Sequence, residues 1–585
     1  MIVTNETPNS RYNNARVGAP KDDIPLAPDM DLGPLIQRWK LMRLEAMSKW
    51  YRQWRDLSRF INPSRGFFEG MMPNYNQQFD YIANMDASPA QNARILAAGM
   101  TSGLTSPSRP WFRLALENEA FSDDGNVKMW LEIVEKVIYG IFAKSNIYEA
   151  FQHTYEELGE FGTGAFGIFE DYNSVIRARS YTIGEYYLSI DAAGRVNGFA
   201  RQYWMTAAQI VEEFGWKNCS ANIQNAYTAS IRDQYFLVYE LIEKNDAVIE
   251  GMANFKGKKF RSAKWEATAP QNKALKISGY NEFPIMAPRW ETTTTADIYG
   301  RGPGWYALGD IKSMYRMKKD LFLTTNKIAD PPMEAGPGME TINTLPGGLS
   351  RRGAGLDSGL RPAWQPSGDP VSPLRLLIQE MKQSIASNFY ADLFMMMINS
   401  PDGDKTAREI VERHDEKMLM LGPVLSRVEQ DMLGPAITRT FEIAFRAKLI
   451  PPPPPEIQGQ PIKIEYISIL AQAQKMLGAS IIEGEMAFVS NLMQAFPQMA
   501  DVLDADEALR EHAEINGAPR RIIRPPEIVA QIRQQRAQAQ QAQAQQEQMA
   551  QAAQTAQTLS KTQVGDRSAL DHIAGTEPSA DGVQQ

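Results

Sequence analysis

The side chains that could support catalysis or ligand binding are few and widely spaced in this sequence. Residues 162–167 (Gly-Thr-Gly-Ala-Phe-Gly) match the GxGxxG pattern with which some folds bind a dinucleotide. That chemistry needs a strand before the glycines and a helix after them, because the helix N-terminus holds the pyrophosphate. Here a helical pattern precedes the glycines and strand-like residues follow, so we predict a tight turn into a sheet.

Other catalytic and metal-binding patterns are also missing from the sequence. It contains no GxxxxGK[ST] phosphate loop, which argues against an NTP-driven motor, and no serine in a nucleophile elbow. Asp402 and Asp404 lack the downstream residues of a calcium loop, which favours a turn. The four histidines are widely separated and lack the spacing of metal ligands: His153, His414, His512 and His572. We therefore predict no enzymatic activity, no cofactor and no metal.

Three groups of residues have the chemistry to contact a polyanion such as DNA: a basic helix face, a polar turn and the arginines of a proline-rich insert. Lys312, Arg316 and Lys319 recur at helical spacing, so they share one face of a helix. They either contact phosphates or form a solvated face or ion pairs between subunits. The second group forms a small polar turn between two helical patterns and either projects towards DNA or is an ordinary loop: Asn399, Ser400, Asp402, Gly403, Asp404 and Lys405.

These candidates lie in or next to two long helical patterns that flank an insert. Apolar residues at helical spacing predict one helix from Trp305 to Ile328. They predict a second from Ser372, where Ser-Pro is a typical helix start, to Leu393. Each helix would span roughly 30–36 Å. This plan suits a wall segment repeated around a ring better than it suits an enzyme pocket.

The insert between the two helices, residues 329–371, is rich in proline and glycine and cannot continue either helix. Short apolar stretches at 339–345 and 360–364 predict a small strand-bearing module, because structureless loops of this length are uncommon in compact domains. Four of its residues either bind a protein partner or phosphates, or form an ordinary basic loop surface: Arg351, Arg352, Arg361 and Trp364.

Bulk composition is that of a soluble protein with several subdomains. The chain has 585 residues, 43% of them hydrophobic and 22% charged, and a single cysteine, which excludes a disulfide framework. The polar start of the sequence predicts no secretory signal, and no window is apolar enough for a membrane span. The net charge of −8 argues against bulk attraction to nucleic acid or acidic lipid, but it permits DNA to slide past.

The first half of the sequence predicts helices followed by a mostly antiparallel sheet, an α+β domain. A flexible arm (1–32) precedes a tryptophan-rich helix (33–61), a helix at 88–105, a strand at 111–116 and one or two helices at 125–159. A short helix at 206–214 interrupts the strands. The strand candidates share β-branched and aromatic residues between turn signals: 165–169, 175–181, 196–204, 235–242, 248–255 and 284–290.

The last part of the sequence is mainly helical. Thr406 and Glu409 form a capping-box pattern that opens a helical region (406–449) punctuated at Gly422-Pro423 and Gly434-Pro435. The five prolines from Pro451 to Pro455 form a stiff spacer, and helix is predicted again over 465–515. Glutamine and alanine dominate residues 531–557, which are either helical or disordered, and the last 25 residues are expected to be disordered.

Several segments, in combination and in order, resemble the head-to-tail connector, or portal, proteins of short-tailed bacteriophages. The markers run over roughly residues 35–450, and each alone would be weak: Leu96–Leu114 (LAAGMTSGLTSPSRPWFRL), Trp54 with 61–66 (INPSRG), 160–165 (EFGTGA), 299–304 (YGRGPG) and 330–332 (DPP). The glutamine-rich C-terminus is less diagnostic.

The resemblance implies a mainly helical α+β portal fold that assembles into a ring of twelve copies around a DNA channel. Residues 33–303 would form the wing, 304–328 and 372–393 the two stem helices, 329–371 the clip and 394–405 the tunnel loop. Residues 406–455 would form a long kinked wing helix with the proline spacer. Residues 456–525 would form a helical crown, 526–560 a helical barrel or tail, and 561–585 a disordered terminus.

The resemblance also implies partners and a place in the virion, at the vertex between capsid and tail. The expected partners are the major capsid and scaffolding proteins, the large terminase during packaging, tail adaptor or tail tube proteins, internal ejection proteins and double-stranded DNA without sequence preference. No membrane is expected. Two alternatives stay open: another virion structural or assembly protein without a DNA channel, and a nucleotide-dependent DNA-processing enzyme.

Overall fold

A computed structural model describes most of the first 468 residues and parts of the remainder. It covers residues 26–28, 30–68, 86–116, 125–229, 231–246, 248–249, 251–252, 254–268, 273–335, 343, 360–362, 368–398, 420–457, 461–468, 488–489, 506, 509, 526–561, 563–564 and 567–568. The chain divides into two compact units, residues 1–478 and 479–585. The described residues form a mixed, mainly helical α+β fold, which confirms the predicted class.

Among the described residues, the larger unit begins with five helices: α1 (Gly33–Lys49), α2 (Tyr51–Phe60), α3 (Ser88–Leu104), α4 (Gly125–Lys144) and α5 (Ile147–Phe161). The prediction of one continuous helix over 33–61 was wrong, because the helix breaks at Trp50. The break lets the Trp50 ring pack 5.7 Å from the rings of both Tyr299 and Trp305. Trp54, one turn later, is fully buried.

The flexible arm predicted for residues 1–32 ends earlier than expected. Residues 1–25 and 29 lie outside the described residues. The Ala27 amide donates to Asn218 Oδ1 at 2.7 Å, and the Leu32 side chain is fully buried. The last residues before α1 therefore pack on the body of the unit.

Two antiparallel sheets follow the helices, with a strand that precedes α4, β1 (Phe112–Leu116), and two short helices, α6 (Ala207–Phe214) and α7 (Ala221–Thr228). The strands are β2 (Ala165–Asp171), β3 (Val175–Tyr181), β4 (Tyr186–Ile190), β5 (Val196–Thr206), β6 (Tyr235–Lys244), β7 (Phe260–Glu266), β8 (Lys276–Tyr280) and β9 (Ile285–Met286). Strands β4 to β8 form a five-stranded meander, and β2 lies between β3 and β9 in a second sheet.

Two of the strand predictions failed. The strand predicted for 248–255 is a loop with a short 3-10 turn, Phe255–Gly257, among the residues described there. The Asn245 side-chain amide donates to Phe255 O and Lys258 O, which gives the loop backbone partners outside a ladder. The strand predicted for 284–290 is interrupted: its ladder covers Ile285–Met286, and Arg289 adds an isolated bridge to Thr163, because Pro284 and Pro288 lack the N–H that a continuous ladder needs.

The two long helices are present on either side of the insert. They are α8 (Pro303–Ala329) and α9 (Val371–Asn388), and between them β10 (Met333–Ala335) pairs with β11 (Leu360–Pro362). The second helix does not reach Leu393 unbroken, because Tyr390 has a left-handed backbone (φ +53°) that ends it. The next helix, α10 (Ala391–Ile398), takes up the first five residues of the predicted 394–405 loop.

A long helix follows, described from residue 420. It continues through Gly422-Pro423 without the predicted interruption, whereas at Gly434-Pro435 a π turn (Glu429–Leu433) interrupts the α-helical pattern before α11 (Gly434–Arg446). The Gly434 amide bonds to Glu429 O, five residues back. This wider turn accommodates Pro435, whose ring would clash with a carbonyl of a regular α-helix. The predicted capping box at Thr406 and Glu409 lies outside the described residues.

The helix predicted from residue 465 was wrong at its start. After the prolines, β12 (Ile462–Tyr466) pairs antiparallel with β1, with Phe112 opposite Tyr466. The apolar residues Ile462 and Ile464 are partly buried, while Lys463 between them is exposed. This alternation of partly buried and exposed side chains is typical of a strand and not of a helix.

The described part of the second unit centres on a helix, α12 (Pro526–Lys561). The glutamine- and alanine-rich tract, left open as helical or disordered, is helical, and its described side chains are exposed except that of Ile532, which is partly buried. Arg533 pairs with Asp506 at 2.6 Å. Disorder was expected after residue 560, but β13 (Gln563–Val564) pairs with β14 (Arg567–Ser568). No helix among the described residues of either unit could cross a membrane.

Candidate functional site

The base of α8 is held by direct backbone contact with the end of α5. A Cβ on Gly302 would lie 2.3 Å from Leu158 O, and one on Gly304 would lie 2.4 Å from Glu160 O. Gly162 ends α5 in a left-handed conformation (φ +83°), which glycine adopts without strain. Glycine is thus required on both sides of this contact, and the direction in which α8 leaves the sheet is fixed there.

The glycine-rich turn at 162–167 supports the same base. The Gly300 amide donates to Thr163 Oγ1 at 2.8 Å, and the Trp290 amide donates to Gly162 O at 2.9 Å. Helix α5 precedes the turn and strand β2 follows it. This order confirms the predicted turn into a sheet.

A buried cluster of charges joins the end of α2 to α5 beneath α8. Arg65 forms ion pairs with Glu156, with Glu157 at 3.2 Å and with Glu160 at 3.7 Å. The Glu157 carboxylate also accepts from Thr182 Oγ1 at 2.9 Å and from the Ile183 amide at 3.1 Å. One guanidinium thus faces three carboxylates. Among the described residues no group of three or more His, Cys, Asp or Glu is arranged to hold a metal ion.

Because the cluster has more carboxylates than cations, one of them gives up its charge readily. Burial raises the pKa of Glu160 to about 8, helped by the negative charge of Glu157 and opposed by Arg65 and Arg94. Asn62 Nδ2 donates to one Glu160 oxygen at 3.3 Å. The folded protein therefore holds a proton at Glu160 over a pH range in which the unfolded chain has lost it.

Replacing Glu160 by glutamine is expected to flatten the pH dependence of stability. In the wild type, stability falls as pH rises from about 4.3, the ordinary glutamate pKa, to about 8, because only the folded state still binds the proton. Glutamine mimics the neutral carboxyl at every pH. Between pH 5 and pH 9 the melting temperature should therefore fall less for Glu160→Gln than for the wild type. If it falls equally for both proteins, Glu160 does not hold the extra proton.

A second junction holds α8 and α9 together at the point where they leave the core. Asp86 pairs with Lys318 of α8 and, at 2.8 Å, with Lys382 of α9, and its Oδ1 accepts from the Ser88 amide at the start of α3. Burial would raise the pKa of Asp86, but the hydrogen bonds from Lys318 and Lys382 hold it well below its usual range. Tyr315 Oη donates to the Asp86 carbonyl at 2.9 Å. Three helices therefore meet at one buried carboxylate.

Helix α3 also contacts the helix that leads to residue 399. A Cβ on Gly99 would lie 2.2 Å from the Phe394 ring, so the absence of a side chain at Gly99 lets α10 pack against α3. Phe389 and Phe394 are both buried. Through its two ends α3 thus positions both the α8/α9 pair and α10.

Beyond this junction the α8/α9 pair has exposed apolar side chains on both helices. In α8 no described residue after Tyr315 is fully buried. Phe322 is 59% exposed, Leu323 49%, Leu376 68% and Leu377 44%. We call this set the distal apolar face. A lone helix pair cannot bury it.

Comparison with known sequences decides the family. The model of the bacteriophage head to tail connecting protein family matches residues 33–523, most of the chain. The chain belongs to this family. It is a portal protein, a structural component of the virion at the junction of head and tail, and not an enzyme.

Individual portal proteins show the same relationship over nearly their full length. The portal protein of Salmonella phage epsilon15 is 39% identical over 528 residues, which cover 89% of this chain and 94% of the relative. The probable portal protein of Bordetella phage BPP-1 is 34% identical over 504 residues, 86% and 90% of the two chains. A solved structure, the neck of an empty GTA particle computed with C6 symmetry, is 12% identical with a TM-score of 0.33 and covers 72% of this chain and 92% of its own. That likeness is too weak to add to the assignment.

The segments that resembled portal proteins meet around α8 in this portal protein. Residues 61–66 supply Asn62 and Arg65 to the charge cluster, 160–165 supply the turn, and 299–304 supply the glycines of the α8 base. The 96–114 segment supplies Gly99 under Phe394. These short motifs, separate in the sequence, therefore lie together in space and support the α8/α9 pair.

The predicted site residues fall in different places. Lys312 is paired with Asp56 of α2 at 2.7 Å and lies 5.1 Å from the Phe60 ring, because this half of α8 packs on α2. Arg316 and Lys319, further along, are exposed. Arg361 stands in β11 opposite Glu334. The other predicted residues lie outside the described residues: Arg351, Arg352, Trp364, Asn399, Ser400, Asp402, Gly403, Asp404 and Lys405.

Sequence reasoning missed Asp86 and the Arg65 cluster. The pattern Asp86-Ala-Ser-Pro89 is a helix start and signals the cap, but nothing in it signals two lysines from helices more than 200 residues away. Glu156, Glu157 and Glu160 read as part of an amphipathic helix face. Only the packing of α5 against the turn after α2 shows that Glu157 and Glu160 are buried and Glu156 partly so.

Proposed function

We propose that this portal protein forms a closed ring of twelve copies at one vertex of the capsid and that its α8/α9 pair lines a DNA channel. The genome would enter through this channel during packaging and leave through it during ejection. The terminase would dock on the ring first, and tail adaptor proteins would replace it. The scaffolding and capsid proteins would surround the ring, and the internal ejection proteins would lie inside the capsid.

The distal apolar face carries this proposal. Burying a phenylalanine or leucine side chain contributes about 1.5–3 kcal/mol, so Phe322 and Leu376 alone favour association. Apolar residues lie on both helices of the pair, which suits neighbours on two sides. A ring with cyclic symmetry supplies two different neighbours to every copy.

Each part of the chain takes a role in this ring. Residues 33–303 form the wing, α8 and α9 the stem, and the β10–β11 region (329–371) the clip. The tunnel loop shortens to residues 399–405 because α10 continues to Ile398. The wing also includes the helix ending with α11, the prolines and β12, so the crown begins after residue 468 and not at 456. Helix α12 serves as the barrel or tail.

Contact with DNA is expected to be weak and independent of sequence. Arg316 and Lys319 are exposed on α8, whereas Lys312 is held by Asp56. Two basic side chains per copy, in a chain of net charge −8, favour dispersed phosphate contacts over tight binding. Clip residues Arg351, Arg352, Arg361 and Trp364 are proposed to face the docking proteins.

Charge introduced on the distal apolar face is expected to disrupt the ring. In the double variant Phe322→Asp/Leu376→Asp, each contact between copies would bury unpaired carboxylates, which costs far more than the apolar contact it replaces. We expect the purified variant to shift from ring to single chains in multi-angle light scattering. Its circular dichroism should stay that of the wild type, because both side chains are exposed in the single chain.

Tyr172→Asp is the matched control. This side chain is fully exposed at the turn between β2 and β3, away from the α8/α9 pair. The control should assemble like the wild type. If the double variant also forms rings, the distal apolar face is not the contact between copies and the proposed stem is wrong.

A further inference from the structure

A cleft of about 570 Å³ runs along the free edge of the five-stranded sheet. Strand β8 pairs with β7 on one side, and among the described residues no strand pairs with its outer edge. The cleft is bounded by β8, by Phe169 and Glu170 at the end of β2 and by the end of α11. An open strand edge presents a row of backbone donors and acceptors to whatever enters.

The cleft is lined by four cations. Arg439 is almost fully buried, donates through Nε to Ile168 O at 2.8 Å and lies 5.4 Å from the Tyr280 ring. Arg446 pairs with Glu282 at 2.8 Å and with Glu170 at 3.2 Å. Arg439 shares Glu282, at 3.2 Å. Arg446 also pairs with Glu442 at 3.8 Å. Three carboxylates therefore fix the two guanidinium groups, and the four cations of the cleft still outnumber them.

The remaining two cations are not neutralised within the part of the chain that the structure describes. Lys258 and Lys276 also line the cleft, and no described carboxylate lies within ion-pair distance of either ammonium group. The Lys258 side chain lies over the backbone of Gly279 in β8. The cleft therefore has a net positive charge on a chain whose overall charge is −8.

We propose that this cleft binds an extended acidic segment of a partner protein, which adds to the sheet as a strand beside β8. Backbone hydrogen bonds along the edge give such a complex its affinity, and side-chain contacts give it specificity. Lys276 lies on the same face of β8 as Tyr280, whereas Lys258 lies over Gly279 on the other face. Carboxylates of the added strand would therefore meet Lys276 on one face and Lys258 on the other.

Nucleic acid fits the cleft less well than a peptide does. A sugar–phosphate backbone offers no alternating donors and acceptors to pair with a strand edge, and Glu170 and Glu282 would repel a continuous line of phosphates. The inference does not depend on the ring, because every residue of the cleft belongs to one chain.

The direct test is a binding titration with a fluorescein-labelled nonapeptide in which pairs of glutamates alternate with pairs of threonines, so that an extended strand carries glutamate on both faces. We expect saturable binding that weakens with salt. The variant Lys258→Glu/Lys276→Glu should bind the peptide about tenfold more weakly. Each substitution replaces a positive charge that attracts the peptide by a negative charge that repels it. The same peptide N-methylated at alternate residues keeps its charge but cannot complete the ladder, and it should not bind.

Lys40→Glu is the matched protein control, since Lys40 is exposed on α1, which packs against β4 and β5 at the opposite end of the sheet order. It should bind the peptide like the wild type, and all variants should melt at similar temperatures. Equal binding of the N-methylated peptide would rule out strand addition. Equal binding by the Lys258/Lys276 variant, or tighter binding of a DNA oligonucleotide at the same cleft, would overturn the proposal.

Discussion

Replacing Gly304 by alanine is expected to destabilise the protein by about 3 kcal/mol or more. A methyl group at this position would lie 2.4 Å from Glu160 O and 2.8 Å from Ile61 Cδ1. The carbonyl belongs to the last turn of α5, so it cannot move without disturbing the turn at Gly162. Thermal and urea denaturation at one fixed protein concentration measure the effect, because assembly makes stability depend on concentration.

Gly309→Ala is the control for this substitution. Gly309 lies in the same helix, α8, and a Cβ there meets nothing within 4 Å. Alanine should stabilise the helix by up to about 1 kcal/mol, because glycine is the poorer helix former. If Gly304→Ala lowers the free energy of unfolding while Gly309→Ala raises it, the effect belongs to the close contact at the α8 base and not to alanine in the helix. A loss of stability below about 1 kcal/mol for Gly304→Ala would contradict the close backbone contact.

Replacing Asp86 by asparagine is expected to cost about 3 kcal/mol. The side chain keeps its size and an oxygen for the Ser88 amide, so the variant removes charge more than shape. Lys318 and Lys382 then face each other across a neutral amide, although the partial exposure of Lys382 reduces the cost. The folded pKa of Asp86 is depressed, so its contribution is present at neutral pH and is lost only below about pH 4.

Asp56→Asn tests whether burial decides the size of this effect. Asp56 also pairs with a lysine of α8, Lys312 at 2.7 Å, but both side chains are about one third exposed. Breaking such a pair should cost less than about 1 kcal/mol. If Asp86→Asn and Asp56→Asn lose similar stability, Asp86 is not the junction of the three helices. The difference in the free energy of unfolding between the wild type and Asp86→Asn should also become smaller below about pH 4, where Asp86 of the unfolded chain begins to lose its charge.

The positions of helices and strands were predicted correctly where a single local signal, such as a helix start or a regular spacing of apolar residues, was strong. The helix predicted for 305–328 is α8, Pro303–Ala329, because proline starts it and apolar residues recur at helical spacing. The strand predicted at 175–181 is β3, with the same bounds. The helix at 206–214 follows a capping box formed by Thr206 and Gln209.

Apart from the two strand predictions that failed for local reasons, the misses share a physical cause, which is a contact distant in sequence. Strand β12 exists because β1 pairs with it, and nothing near residue 462 signals that partner. The break at Tyr390 follows from the burial of Phe389 and Phe394 on both sides of it, which periodicity cannot foresee. The same limit hid Asp86 and left Lys312 as a candidate for DNA contact until its pair with Asp56 was seen.

These contacts give the proposed ring a mechanical basis. The α8 base fixes the direction of the helix pair, the Asp86 junction ties both helices to α3, and α3 carries α10 through Gly99 and Phe394. The distal apolar face then extends beyond the core. In a ring, this arrangement would hold each stem rigidly while the neighbours cover its apolar residues.

An electron cryo-microscopy reconstruction of the purified, assembled protein would show whether the α8/α9 pair lines a channel. We expect a closed ring with an open central channel, α8 and α9 on the channel wall, and Phe322 and Leu376 covered by neighbouring copies. Single chains at assembly concentrations, open fibres, or a ring in which this helix pair lies at the outer rim with Phe322 and Leu376 exposed would contradict it.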